Sequence, residues 1–129
     1  MGICIDSDSN IIVADCYNYK IRKITKDGIV STIAGTTQGC KDGNIDSAQF
    51  YCPWSVCVDW DGNVIVADWF NNTIRKISIS GIISTIAGST EGFNDGTYSA
   101  TKFNSPSGVC IDDEGDIIVS DRGNNKIRK

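Results

Sequence analysis

Short apolar runs separated by polar turns recur along the chain. In the middle third, Val56-Cys57-Val58 is followed by Asp61-Gly62, then by Val64-Ile65-Val66-Ala67. A polar stretch from Asp68 to Thr73 leads to a run over 74–77, Ser80-Gly81 turns the chain, and a last run covers 82–87. The runs are rich in Val and Ile, which suit a pleated strand, and Asp-Gly between two of them is a hairpin signal. The pattern predicts four antiparallel strands, a to d. Strands a and b do not alternate apolar with polar, so both of their faces must be covered. One meander cannot cover both of its own faces, but a stack of similar meanders can. Arranged around a ring, such a stack is a β-propeller. A sheet sandwich and a β-solenoid are the competing architectures, and the solenoid fits less well because its repeats are shorter and lack these hairpin turns.

The stack is written into the sequence as a repeat of 53 residues. Asp15, Asp68 and Asp121 share that spacing, as do Ile-Arg-Lys at 21–23, 74–76 and 127–129. Ser-Thr-Ile-Ala-Gly occurs at 31–35 and again at 84–88. Phe50 and Phe103, Pro53 and Pro106, and Cys4, Cys57 and Cys110 are also in register. A repeat sustained without a gap marks an array of like units. We expect an all-β fold of about 2.5–3 blades of four-stranded antiparallel sheet, with blade 1 over 1–53, blade 2 over 54–106 and a partial blade 3 over 107–129. Eleven strands are expected, strand d being absent from the third unit.

The units resemble NHL repeats. The resemblance rests on Pro-Ser-Gly-Val-Cys-Ile-Asp (106–112), Gly-Asp-Ile-Ile-Val-Ser-Asp (115–121), Asn124 and Lys-Ile-Arg-Lys (126–129), with Asp-Gly-Asn-Val-Ile-Val-Ala-Asp (61–68) and Asn71 in the middle copy. The connection Ser-Thr-Ile-Ala-Gly…Asp-Gly…Ala…Phe…Pro is similar to that of the long-linker NHL subfamily. The His of the family motif is replaced by Tyr19, Asn72 and Asn125. The resemblance implies a propeller, typically of six blades, that binds protein, RNA or another ligand. A minority of related propellers are lyases, lactonases or esterases with a metal in the central channel. Six units would need about 320 residues (6 × 53 = 318), against 129 here. The chain is therefore expected to be part of a six-bladed parent, or to complete a ring by pairing head to tail with a second copy.

Composition narrows the chemistry. Histidine is absent, which removes His-activated nucleophiles and His-ligated metals. The formal net charge is −4, which argues against a nucleic-acid partner. No apolar run reaches membrane-spanning length, and Asp6 and Asp8 interrupt the opening residues before a secretory apolar stretch forms. No cofactor or metal is implied. The spacing of Asp59, Asp61 and Asn63 begins like a calcium loop but lacks its later ligands, so hairpin-turn chemistry explains it better.

The candidate site is aromatic. In an antiparallel meander the b–c turns and d–a connections emerge at one end, and all aromatics but Trp60 fall there. Phe50 and Phe103 recur in register and read as core. Tyr17, Tyr19, Tyr51, Trp54, Trp69 and Phe70 have no aromatic counterpart in the third unit, and a residue that varies between units suits a ligand better than a scaffold. We expect these six to form a binding surface for a protein or peptide, with no catalytic group. A propeller hydrolase or lyase holding an oxygen-ligated metal, with Asp59 and Asp112 among its ligands, and a self-assembling structural unit are the alternatives. The basic residues of strand c would form an arc, with each Arg expected to pair with the Asp seven residues earlier: Asp15 with Arg22, Asp68 with Arg75, Asp121 with Arg128. Cys4, Cys57 and Cys110 read as small buried apolar residues. Cys40 and Cys52 share one connection and would pair in an oxidising compartment.

Overall fold

A computed structural model describes residues 1–129, the Ser99 side chain excepted. Strands β1 (Ile3–Ile5), β2 (Ile11–Asp15), β3 (Lys20–Ile24) and β4 (Val30–Ala34) form the first antiparallel sheet. The second is built from β5 (Gly43–Asn44), β6 (Pro53–Val58), β7 (Val64–Asp68), β8 (Thr73–Ile77) and β9 (Ile82–Gly88), in the order β5-β9-β8-β7-β6. The third holds β10 (Pro106–Ile111), β11 (Ile117–Asp121) and β12 (Lys126–Arg128). These are three consecutive blades of a β-propeller. The two-residue strand β5, drawn from the connection between the first two sheets, pairs with β9 through Gly43↔Ile83 and Asn44↔Ile82 and was not expected.

The sheets lie face against face. One face of the middle sheet, with Val56, Val64, Val66, Ile77 and Ile83, shares a core with Ile12, Ala14, Ile21 and Phe50 of the first unit and its connection. The other face, with Ile65, Ala67 and Ile74, shares a second core with Phe103, Val109 and Val119. The uninterrupted apolar run 64–67 is thus buried on both sides. Register explains what stays exposed. Ile3, Ile5 and Ile11 are the first unit's counterparts of Val56, Val58 and Val64 and face solvent. On the far side Ile127, the counterpart of Ile74, is exposed too.

Gly35 and Gly88 close the d strands with φ of +96° and +88°. A Cβ there would run into the backbone carbonyl of Tyr19 or Asn72, which accounts for the repeated terminal glycine of Ser-Thr-Ile-Ala-Gly.

Two expectations about cysteine are corrected. The disulfide joins Cys16 to Cys52, not Cys40 to Cys52, and Cys40 is a free, exposed thiol. The packing of β2 on β6 brings the residue after one strand to the residue before the other, whereas Cys40 lies out on the connection. Closing the 36-residue separation stabilises the fold by about 3–4 kcal/mol on the loop-entropy account. The in-register cysteines are less buried than expected: Cys4 and Cys57 are half-buried and Cys110 is exposed, because its face of the third sheet is uncovered. Burial pushes the Cys57 thiol up to about 12 and the Cys4 thiol to about 11, so neither is a reactive thiolate at neutral pH.

The a–b turns repeat one hydrogen-bonded device. Asp6, Asp59 and Asp112 each accept backbone N–H bonds from the residues two and four positions on, through Oδ1 at 2.8–3.0 Å. Each also meets a lysine of strand c: Lys23 at 3.0 Å, Lys76 at 3.6 Å and Lys129 at 2.8 Å. This turn chemistry was expected, whereas the lysine partners were not. At Asp6 burial raises the carboxyl, but the Asn10 bonds and Lys23 outweigh it and hold it down to about 2. Asp59 and Asp112 are lowered as well. A carboxyl depressed in the folded state stabilises above its unfolded value, and that stabilisation is lost as pH falls through the folded value. The urea midpoint should therefore drop between pH 4 and pH 2, and replacing Asp6 by Asn should flatten that drop.

Candidate binding site

Each b–c turn begins on a strand-ending aspartate. Asp68 Oδ1 accepts the Tyr51 backbone N–H at 2.8 Å, and Oδ2 accepts from Asn71 Nδ2 at 2.7 Å and the Arg75 guanidinium at 3.0 Å. Asp121 repeats the set with Asn104, Asn124 and Arg128 at 2.8, 2.8 and 2.9 Å. Asp15 holds Asn18 and, at 3.4 Å, Arg22. All three expected Arg–Asp pairs form. They are not equal in environment: the Arg75 and Asp68 side chains are both 0% exposed, against 30% and 25% for Arg22 and Asp15. Burial pushes the Asp68 carboxyl up to about 6, against the pull of Asn71, the Tyr51 N–H and Arg75. Asn71, in the sequence Asn71-Asn72-Thr73, spends its side-chain amide on Asp68 and on the Gly39 carbonyl at 2.7 Å.

These anchors fix the loops that carry the aromatic rings. The Trp69 and Phe70 backbone N–H groups donate to the carbonyls of Cys52 and Tyr51, so the b–c turn of the second unit is stitched to the connection entering β6. The disulfide ties the corresponding turn of the first unit to the same connection. The result is a continuous row of rings. Tyr19 meets Tyr51 edge-on at 6.2 Å; Tyr51 meets Phe70 at 4.7 Å; Phe70 stacks on Trp69 at 4.7 Å; Trp69 meets Trp54 at 4.7 Å. Arg122 extends the row, its guanidinium 5.9 Å from the Trp69 ring.

Five of the six candidate residues therefore come together, and Tyr17 does not: it is exposed and stacks on none of the other five. Arg122 was missed, although the repeat offers a signal for it, since it holds the place of Trp69 one unit on (69 + 53 = 122). Two features of the row are locally unfavourable. Tyr19 adopts φ 59° at a position where the other copies place Asn72 and Asn125, residues that tolerate the left-handed region better. The buried Trp69 Nε1 meets no acceptor among the described residues.

The strand-c cations are largely engaged. The three arginines pair with Asp15, Asp68 and Asp121, and Lys23, Lys76 and Lys129 with the a–b turns. Asp112, Glu114 and Asp116 converge, and the Lys129 ammonium lies among them at 2.8, 3.1 and 2.9 Å.

Comparison with known proteins agrees with this architecture. The NHL repeat family model matches residues 50–77 and 103–129. The chain is 39% identical over 85 residues to NHL repeat-containing protein 2 of Gallus gallus, covering 64% of this chain and 11% of that protein. A solved structure described as a structural genomics protein of unknown function from Bacteroides thetaiotaomicron superposes with a TM-score of 0.87 at 32% identity, over 93% of this chain and 32% of that one. A structure of streptogramin B lyase superposes with a TM-score of 0.71 at 17% identity, over 97% of this chain and 35% of that one, a likeness of fold alone. The chain thus spans about a tenth of the first curated relatives it matches. It belongs to the NHL-repeat family.

Proposed function

We propose that the chain is a binding scaffold that takes a protein or peptide on the aromatic row Tyr19, Tyr51, Phe70, Trp69 and Trp54, with Arg122 at its end. The observation that supports this reading is the row itself. Five rings drawn from two units and the connection between them touch in sequence, at positions the third unit fills without aromatics. Two of them sit there at a local cost in backbone conformation and indole satisfaction, which is the pattern expected where local stability yields to function. Large rigid rings lose little entropy on docking and dominate interface energetics. A nucleic-acid reading gains nothing from the basic arc, whose charges are mostly paired.

The test is selection from a displayed random peptide library on the oxidised chain, followed by binding measurements on the enriched peptides. Trp69→Ala and Tyr51→Ala should each weaken binding about tenfold or more, while the half-buried rings leave the melting temperature only a few degrees lower. Enriched peptides that bind both variants as tightly as the parent would overturn the assignment, as would a Trp69→Ala chain that fails to fold.

A second reading is favoured by the open faces. The surface carrying Ile127 and Cys110 corresponds to the face of the middle sheet that mates inside the chain, and the surface carrying Ile3, Ile5 and Ile11 corresponds to its mate. Two copies stacked head to tail would unite three blades with three. Native mass measurement showing a dimer would support it, and a monomer at high micromolar concentration would rule it out.

A further inference from the structure

The b–c turns of the first two units each abut the connection that leads into the next unit, and the two junctions are held differently. At the second, Asn72 Oδ1 accepts the Ser105 backbone N–H at 2.8 Å. Ser105 adopts φ 55°, a left-handed conformation that a residue other than glycine keeps only when its surroundings hold it. At the first junction Cys52 stands in the place of Ser105 and takes φ 60°. Tyr19 stands in the place of Asn72 and offers no amide oxygen to the Cys52 N–H. The Cys16–Cys52 bond lies at this point. A covalent tie thus replaces a side-chain hydrogen bond, at the junction that carries the Tyr19 end of the aromatic row.

Opening that tie has unequal consequences along the row. Tyr51 is fixed from the second unit, its N–H on Asp68 Oδ1 at 2.8 Å and its carbonyl on the Phe70 N–H at 3.2 Å. The Cys52 carbonyl accepts the Trp69 N–H at 3.3 Å. Tyr19 belongs to the turn of the first unit, where its N–H donates to the Cys16 carbonyl at 3.1 Å. Its ring meets the row only edge-on, 6.2 Å from Tyr51. No backbone hydrogen bond joins residues 16–19 to residues 50–54 among the described residues. The disulfide is what couples Tyr19 to the other four rings.

We propose that the Cys16–Cys52 bond is a redox latch on the aromatic row. Closed, it holds Tyr19 against Tyr51. Opened by a dithiol reductant, it releases the Tyr19 end and weakens peptide binding, while Tyr51, Phe70, Trp69 and Trp54 stay in place. This regulation rests on the reading of the row as a peptide site. In the opening step a reductant thiolate attacks one sulfur, the bond to the other sulfur breaks, and a mixed disulfide forms. The second thiol of the reductant then displaces the protein sulfur. Two electrons and two protons pass to the protein, Cys16 and Cys52 end as thiols, and the dithiol ends as its own disulfide. Both sulfurs are buried, with Cys16 0% and Cys52 3% exposed, so the junction parts before the attack. A peptide spanning Tyr19 and Tyr51 clamps the junction, and by linkage it opposes reduction by the factor that reduction costs its own binding.

The experiment compares the oxidised and the dithiothreitol-reduced whole chain, using the tightest peptide enriched from a random library on the oxidised form. Reduction should weaken its binding about tenfold. Tyr19→Ala in the oxidised chain should do the same, and the two together should cost little more than either. Saturating peptide should lower the reduction midpoint by about 30 mV, which is that tenfold converted for two electrons. Without peptide, reduction should speed amide exchange at Tyr19 and at position 52, while the β7 amides stay slow and the cooperative melt persists. Cys16→Ser with Cys52→Ser should bind as the reduced chain does at every redox poise. Adding Tyr19→Asn to that pair rebuilds the bond seen between Asn72 and Ser105, and should slow exchange at position 52 again. Equal binding by the two redox forms, with Trp69→Ala still weakened, overturns the latch but not the row. Binding indifferent to Trp69→Ala as well overturns both. Reduction that unfolds the whole chain makes the disulfide a structural bridge and overturns the latch too.

Discussion

Replacing Val66 by Asp abolishes cooperative folding at room temperature. Val66 lies in the second strand of the middle sheet with 0% exposure, inside the core shared with the first unit. The one cation beside it, Arg75 opposite on β8, is already spent on Asp42, Asp68 and two backbone carbonyls. The new carboxylate therefore competes for a committed partner, and a buried charge so poorly paired costs at least several kcal/mol even after relaxation. A domain of this size has roughly 5–15 kcal/mol to lose. The repeat supplies its own control. Val13 occupies the same position one unit earlier (66 − 53 = 13), on the uncovered face of the first sheet, where it is only half-buried. Val13→Asp should cost about 1 kcal/mol or less. Circular dichroism melts of the two variants separate them. A sharp transition retained in Val66→Asp contradicts the face-to-face packing, and collapse of Val13→Asp shows instead that the outer face is covered in solution by a second copy.

The second large effect is at Arg75. Its guanidinium makes five hydrogen bonds: two to Asp42, one to Asp68 and two to the carbonyls of Gln49 and Lys41. It therefore joins the end of β7, the middle of β8 and the preceding connection. Arg75→Met removes all five and leaves a fully buried Asp68 without its cation, a loss of about 3–5 kcal/mol. Arg22→Met, which breaks two long contacts of 3.4 Å, to the partly exposed Asp15 and to the Ser31 carbonyl, should cost about 1 kcal/mol at most. Burial already raises the Asp68 carboxyl to about 6. A group raised in the folded state favours folding while protonated, and that advantage fades as pH rises through the folded value. The Arg75→Met penalty, read as a shift in denaturant midpoint, should therefore be smaller at pH 5 than at pH 8.

Much of this was legible in the sequence because the repeat turns one observation into three. The strand runs, the Asp-Gly hairpins and the Arg–Asp braces all recur at 53 residues, and each recurrence removes an accidental explanation. What the repeat cannot display is contact between non-equivalent positions. Cys16 and Cys52 have no cysteine counterparts in the next unit, where Trp69 and Ser105 stand, so periodicity gave no reason to join them and proximity along the chain favoured Cys40 instead. Strand β5 is two residues long and defined by its partner rather than by any apolar pattern of its own. The lysine partners of Asp6, Asp59 and Asp112 lie across a sheet from the turns they brace, visible only once strand c is paired with strand b. Among the aromatics, the sequence could identify the end of the fold on which they gather, but not that Tyr17 points away while its neighbour Tyr19 turns in through a left-handed residue. Cys110 was read as buried by analogy with Cys57, and the analogy fails because burial here belongs to pairs of sheets rather than to single strands.

Amide hydrogen exchange, followed residue by residue on the oxidised chain, tests that last point most directly. Only the middle sheet is covered on both faces, so the slowest amides should be those of β7 and its partners in β8, with β1 and β12 exchanging orders of magnitude faster. Uniform protection across the three sheets, or slowest exchange in an outer one, would contradict the stacked arrangement that carries the aromatic row.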